Sequence, residues 1–132
     1  MKITADTNVL VRAVTGDHAR QSKSAREAMA GAQSVALPLP ALCELAWVLS
    51  AGYRVAVPDI AEVIRRLINA ANVAVNRAAV EAGLEALEAG GDFADGIIAH
   101  EGQWLGAETF MSFDKKAVRL LQKQGKAAVL LK

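Results

Sequence analysis

Cysteine is nearly absent from this chain. Cys43 is the single one in 132 residues, so no intramolecular disulfide can form. A thiol nucleophile needs a histidine partner, and only His18 and His100 exist. Cys43, beside Glu44 in an apolar segment, therefore reads as a small buried hydrophobe. The two histidines lie apart in the sequence and read as surface or edge residues. Proline is scarce too, limited to Pro38, Pro40 and Pro58. Neither charge dominates: 15 Lys and Arg stand against 14 Asp and Glu, a net charge of +1. That balance argues against a polybasic binder, although a local basic patch matters more than the sum. No apolar run approaches the ~20 residues that a membrane-spanning helix needs. The segment Met1–Asn8 lacks the basic start and long apolar stretch of a signal peptide, so the expectation is a cytoplasmic protein without a membrane partner.

What is present is an ordinary globular composition, 53% hydrophobic and 22% charged with the signs mixed. The length predicts one domain over 1–132, with roughly two-thirds of the unfolded surface buried on folding. Strands and helices alternate. A strand is expected over 3–5, followed by a helix opening at Thr7 or Asn8, carrying Val9, Leu10, Val11 and Val14, and broken at Gly16-Asp17. A polar helix follows over 18–30, then a strand over 34–37. Pro38 and Pro40 introduce a helix with the stripe Leu42, Leu45, Ala46 and Leu49, and Gly52 at its end. Pro58 starts another, with Ile60, Val63, Ile64, Leu67 and Ile68 apolar. Beyond an extended piece at 73–75 come helices over 77–89 and 92–105, separated by Gly90-Gly91. A strand over 109–113, a helix over 115–124 ended by Gly125, and a strand over 127–131 complete the chain. There are no repeats, linkers or low-complexity tracts. This order predicts an α/β fold: a central, mainly parallel sheet flanked by helices on both faces.

Four acidic residues sit against apolar segments, where unpaired carboxylates are costly: Asp6, Glu44, Asp95 and Asp114. Each has a structural explanation. Asp6 and Asp114 suit helix N-caps. Asp92 and Asp95 suit a cap and first-turn pair favoured by the helix dipole. Glu44 suits a helix edge facing solvent, but it has no ion-pair partner three or four residues away, and Trp47 and Val48 lie on its side. Asp6 and Asp114 both follow predicted strands, and in parallel sheets ligands gather beyond the carboxyl ends of strands. If the four converge, each pair ~4 Å apart repels by about 4 kcal/mol at an effective dielectric of ~20. A hard divalent cation removes that repulsion, and an oxygen-only ligand set selects Mg²⁺ or Mn²⁺ over Zn²⁺. Such a site suits phosphodiester hydrolysis.

These residues carry a family likeness. The chain resembles PIN-domain ribonucleases, most closely the VapC toxins of toxin–antitoxin modules. Asp6-Thr7-Asn8-Val9-Leu10-Val11-Arg12 resembles the family's first motif. Glu44-Leu45-Ala46-Trp47-Val48-Leu49 with Tyr53 resembles the second, and Asp92-Phe93-Ala94-Asp95-Gly96-Ile97-Ile98-Ala99 the third. Ser112-Phe113-Asp114-Lys115-Lys116 is similar to the fourth. The resemblance implies a PIN-like fold and endonucleolytic cleavage of RNA with Mg²⁺, or Mn²⁺ in its place. It assigns Asp6, Glu44, Asp95 and Asp114 to catalysis, with Asp6 and Asp95 as direct metal ligands. Thr7, Asn8 and Ser112 become supporting residues that orient carboxylates or water, and Asp92 also matches the family pattern as a supporting residue while keeping its cap role. It further implies a homodimer and a cognate antitoxin whose tail, often through an arginine, enters the acidic groove.

RNA would also need cations, for which Arg12, Arg20, Lys23, Arg26, Lys115, Lys116 and Arg119 are candidates. Two other classes compete with the ribonuclease. One is a catalytically idle PIN-like module that binds RNA or a partner, against which the intact acids argue. The other is a receiver-like phosphotransferase. That requires a lysine closing a later strand, which Asp114-Lys115 does not supply.

Overall fold

Short strands rich in β-branched and small residues alternate with helices throughout residues 1–132, all described by the computed structural model. By chain contacts the molecule forms two compact units, Met1–Asn76 and Arg77–Lys132.

The first unit holds a three-stranded sheet: β1 (Lys2–Thr4), β2 (Ser34–Ala36) and β3 (Val73–Ala74), in the order β1-β2-β3. Both pairings are parallel, with Ile3 opposite Val35 and Val35 opposite Val73. Parallel neighbours need long crossovers. Helices α1 (Thr7–Thr15) and α2 (Ala19–Gly31) supply the first, and α3 (Leu39–Trp47) and α4 (Val57–Asn69) the second. The expected stripe is buried at Leu42, Leu45 and Ala46 of α3 and at Leu49 just beyond its end. In α4 the spacing buries Ile60, Ala61, Ile64 and Ile68, while Val63 and Leu67 are only half-buried and line a cavity of about 340 Å³.

The second unit contains α5 (Arg77–Glu88), α6 (Phe93–Trp104), β4 (Phe110–Ser112), α7 (Lys115–Lys123) and β5 (Ala128–Leu130). Strands β4 and β5 pair in parallel, with Met111 opposite Val129, and α7 is their crossover. Glycines let α5 and α6 approach closely: a Cβ on Gly83 would lie 2.8 Å from the Phe93 ring, and one on Gly96 would lie 2.8 Å from Ala86 Cβ. Ala99, Val118, Leu121 and Ala128 form a core cluster, joined by Phe110, Leu120 and Leu130.

The α/β class and parallel pairing match the expectation, but the strands form a three-stranded and a two-stranded sheet in place of a single one. The first strand keeps its expected length but starts one residue earlier, and the other four are shorter than expected. The ladder nevertheless continues past β1, where the Ala5 N–H donates to the Ala36 carbonyl at 3.1 Å. A second difference follows α3, which widens into a π-helical turn at Val48–Gly52. The Tyr53 N–H reaches the Val48 carbonyl at 3.1 Å, closing the wider ring. Gly52 is thus within the turn, and the left-handed residue is Arg54, at φ 54°. No helix is long and apolar enough to cross a membrane.

Candidate active-site carboxylates

In the first unit, β1 delivers the chain to Asp6, whose exposed carboxylate caps α1 by accepting the Val9 N–H at 3.2 Å. Thr7 begins the helix, and its hydroxyl donates to Glu44 Oε2 at 3.0 Å. One threonine therefore ties the start of α1 to α3 across 37 positions of sequence. Glu44 is exposed and Trp47 beside it is 69% exposed, so the solvent-facing placement that looked awkward from sequence is the one adopted. Asn8 and Asp6 line a cavity of about 390 Å³ together with Arg12, Gln21 and Ser24.

Arg12 is fixed by a network that the sequence did not disclose. Its Nη1 donates to Asp17 Oδ1 at 3.0 Å and its Nε to Gln21 Oε1 at 2.8 Å. Asp17 also accepts from the Tyr53 hydroxyl at 2.5 Å and the Thr15 hydroxyl at 2.8 Å. These hydroxyls, Tyr53 foremost, together with the Arg12 charge, lower the Asp17 carboxyl from 3.8 to about 2. Asp17 and Tyr53 are 36 residues apart, so no local pattern announces the contact. The sole hints were the Gly16-Asp17 break and the place of Tyr53 in the second motif.

In the second unit, Asp92 caps α6, accepting the Ala94 N–H at 3.1 Å. Asp114 caps α7 through the N–H groups of Lys116 at 3.0 Å and Ala117 at 3.2 Å. The Ser112 hydroxyl oxygen accepts the Asp114 N–H at 2.9 Å, so Ser112 holds the backbone of that aspartate. Asp95 lies half-buried in the first turn of α6, between buried Phe93 and Gly96-Ile97. Its carboxyl is pushed above 3.8, first by burial, then by the charges of Asp92 and Asp114. The charges of Asp92 and Asp114 thus reach Asp95, and Thr7, next to Asp6 in sequence, is hydrogen-bonded to Glu44.

The expectation that all four acids press against apolar surroundings needs correction. Asp6, Glu44 and Asp114 are exposed, because caps and helix edges face solvent, and only Asp95 meets a desolvation cost. Within neither unit do three or more His, Cys, Asp or Glu side chains close into a metal-ligand group. The donor chemistry still fits a hard cation. The second unit's acids are all oxygen donors, and a divalent ion would offset both the burial cost of Asp95 and the charges of Asp92 and Asp114 that add to it.

The remaining candidates divide. Cys43 and His100 are half-buried, and His18 caps α2 through Nδ1, which accepts the Gln21 N–H at 3.2 Å. Lys23 lies 3.8 Å from Glu27, and Arg26 Nε donates to the Ala13 carbonyl at 2.7 Å. Arg20, Lys115, Lys116 and Arg119 are exposed.

Two comparisons bear on this arrangement. The sequence pattern described as the PIN domain matches residues 3–122, which takes in every acid above. No curated protein matches the chain.

Proposed function

The chain belongs to the PIN domain family, a nuclease fold whose members generally depend on divalent metal ions, and on that premise we propose that it is an endoribonuclease dependent on Mg²⁺ or Mn²⁺. The observation that carries the reading is Asp95: half-buried in the first turn of α6, with its carboxyl raised first by burial and then by the charges of Asp92 and Asp114. Asp6 and Asp95 serve as metal ligands, and Glu44 and Asp114 complete the acidic set, partly through water. A bound divalent cation would neutralise charge on the phosphate and make a water more acidic. The protein's own part is positional. Thr7 fixes the direction of Glu44, and Ser112 fixes the turn that presents Asp114. Asn8 and Asp92 support the set from their places beside Asp6 and Asp95. Hydrolysis joins the water oxygen to phosphorus and breaks the bond from phosphorus to the leaving sugar oxygen. A carboxylate of the set accepts the water's proton, and the leaving sugar oxygen takes up a proton from solvent as its bond to phosphorus breaks.

The four motifs further support a toxin role of the VapC type. In that role the chain is a cytoplasmic homodimer restrained by a cognate antitoxin, whose arginine-bearing tail would satisfy exposed carboxylates.

The test is cleavage of total cellular RNA by purified protein with Mg²⁺, Mn²⁺ or EDTA, beside Asp95→Asn. Discrete metal-dependent fragments, absent with the variant, are expected. Intact RNA from folded protein across all metals would replace the nuclease with a binding module.

A further inference from the structure

The second unit carries a groove that the acids do not explain. Its walls are Ala89 and Gly90 at the end of α5 and the face of α7 bearing Lys115, Lys116, Arg119 and Lys123, around a cavity of about 620 Å³. No acidic side chain lines it. None of the four cations is engaged in an ion pair, whereas Arg12, Lys23 and Arg66 each are. Spacing sets the pattern, since side chains three and four apart share a helix face. Lys115, Arg119 and Lys123 then form a row about 12 Å long at 1.5 Å per residue. Gln124 also lines the groove, and its side-chain amide nitrogen and oxygen are buried without a hydrogen-bond partner. Buried amides are normally satisfied, so this one is a donor and acceptor in reserve.

We propose that this groove is a docking site for the phosphodiester backbone of single-stranded RNA, distinct from the carboxylates that act on the scissile bond. A row of unpaired cations in an open cleft matches a chain of regularly spaced anions. Apolar Leu120 and Ala89 in the walls lower the competition from water. The choice of RNA as occupant rests on the nuclease reading, and the groove's contacts are to phosphate, so they position the strand without reading its sequence. Because the groove begins one residue beyond Asp114, a strand held there is led toward that carboxylate.

The experiment is fluorescence anisotropy of labelled oligouridylate with the full chain in EDTA, across a salt series. Three proteins are compared: wild type, Arg119→Gln/Lys123→Gln, and the charge-matched control Lys2→Gln/Lys132→Gln. Circular dichroism confirms that each is folded. If the groove binds backbone, the groove variant loses affinity at least several-fold. Its log–log salt slope falls by about 1.4, at ~0.7 per phosphate contact on a single strand. The control changes little. Equal affinity and slope in wild type and groove variant overturn the proposal, as does an equal loss in the control, which would mean net charge alone. Cleavage with Mg²⁺ is scored separately: loss of binding in the groove variant without cleavage by wild type keeps the groove and removes the nuclease, while normal cleavage with unaltered binding does the reverse.

Discussion

Asp95 is asked to be an anion in a place that disfavours one. Burial and the neighbouring Asp92 and Asp114 raise its carboxyl above 3.8, so the fold holds that proton more tightly than the unfolded chain does. Stability from the protonated form is therefore present below the ordinary aspartate range and is lost as pH rises through the raised value. Asp95→Asn removes this cost. We predict that the metal-free variant melts above wild type at neutral pH while losing cleavage, read by scanning calorimetry and RNA digestion. A lower melting temperature would mean that the carboxylate makes stabilising contacts instead. Asp17 has the opposite sign. Its carboxyl is lowered from 3.8 to about 2, so its contribution is present above pH 3.8 and disappears as pH falls toward 2. Urea midpoints measured over that window should fall more steeply for wild type than for Tyr53→Phe, which lacks the largest contributor to the shift.

Among the elements, helix starts do most to place chemistry. Asp6, Asp92 and Asp114 each cap the helix that follows, and these caps were legible because an aspartate ahead of an apolar-periodic segment has few other local uses. The stripe of α3 was legible for the same reason of periodicity. What could not be read were the long-range hydrogen bond from Thr7 to Glu44 and the Asp17–Tyr53 contact, together with the local π-helical turn that follows α3. None leaves a mark at a spacing of three or four residues. The division of the strands between two sheets was hidden likewise, since each strand has only two or three residues and says nothing of its neighbour. Two substitutions test the elements. Thr7→Val keeps shape and removes the donor to Glu44. As both groups lie near the surface, stability should change by no more than about 0.5 kcal/mol, while the cleavage rate falls roughly 10-fold or more, as for other orienting residues. Gly96→Ala forces a methyl against the Ala82 carbonyl, Ala86 Cβ and Gly83 Cα. It should destabilise by about 1–3 kcal/mol despite alanine's better helix propensity, because overpacking outweighs that gain. A denaturation midpoint at or above wild type would show that α5 and α6 can separate cheaply.

For the whole molecule, the PIN domain match runs from residue 3 to residue 122 and so crosses the boundary between the two compact units. Asp6 and Glu44 belong to the first unit, and Asp92, Asp95 and Asp114 to the second. Neither half alone carries the acidic set proposed for hydrolysis. The central proposal is that Asp6 and Asp95 each serve as a ligand for a functional divalent ion. It is tested most directly by titrating Mn²⁺ into wild type, Asp6→Asn and Asp95→Asn, with free Mn²⁺ followed by electron paramagnetic resonance. Wild type should take up Mn²⁺, and each single variant, one from each unit, should weaken that uptake at least 10-fold, in line with lost metal-site groups. Unchanged Mn²⁺ uptake in Asp6→Asn, with loss confined to Asp95→Asn, would contradict the claim and leave the second unit as the metal's only host.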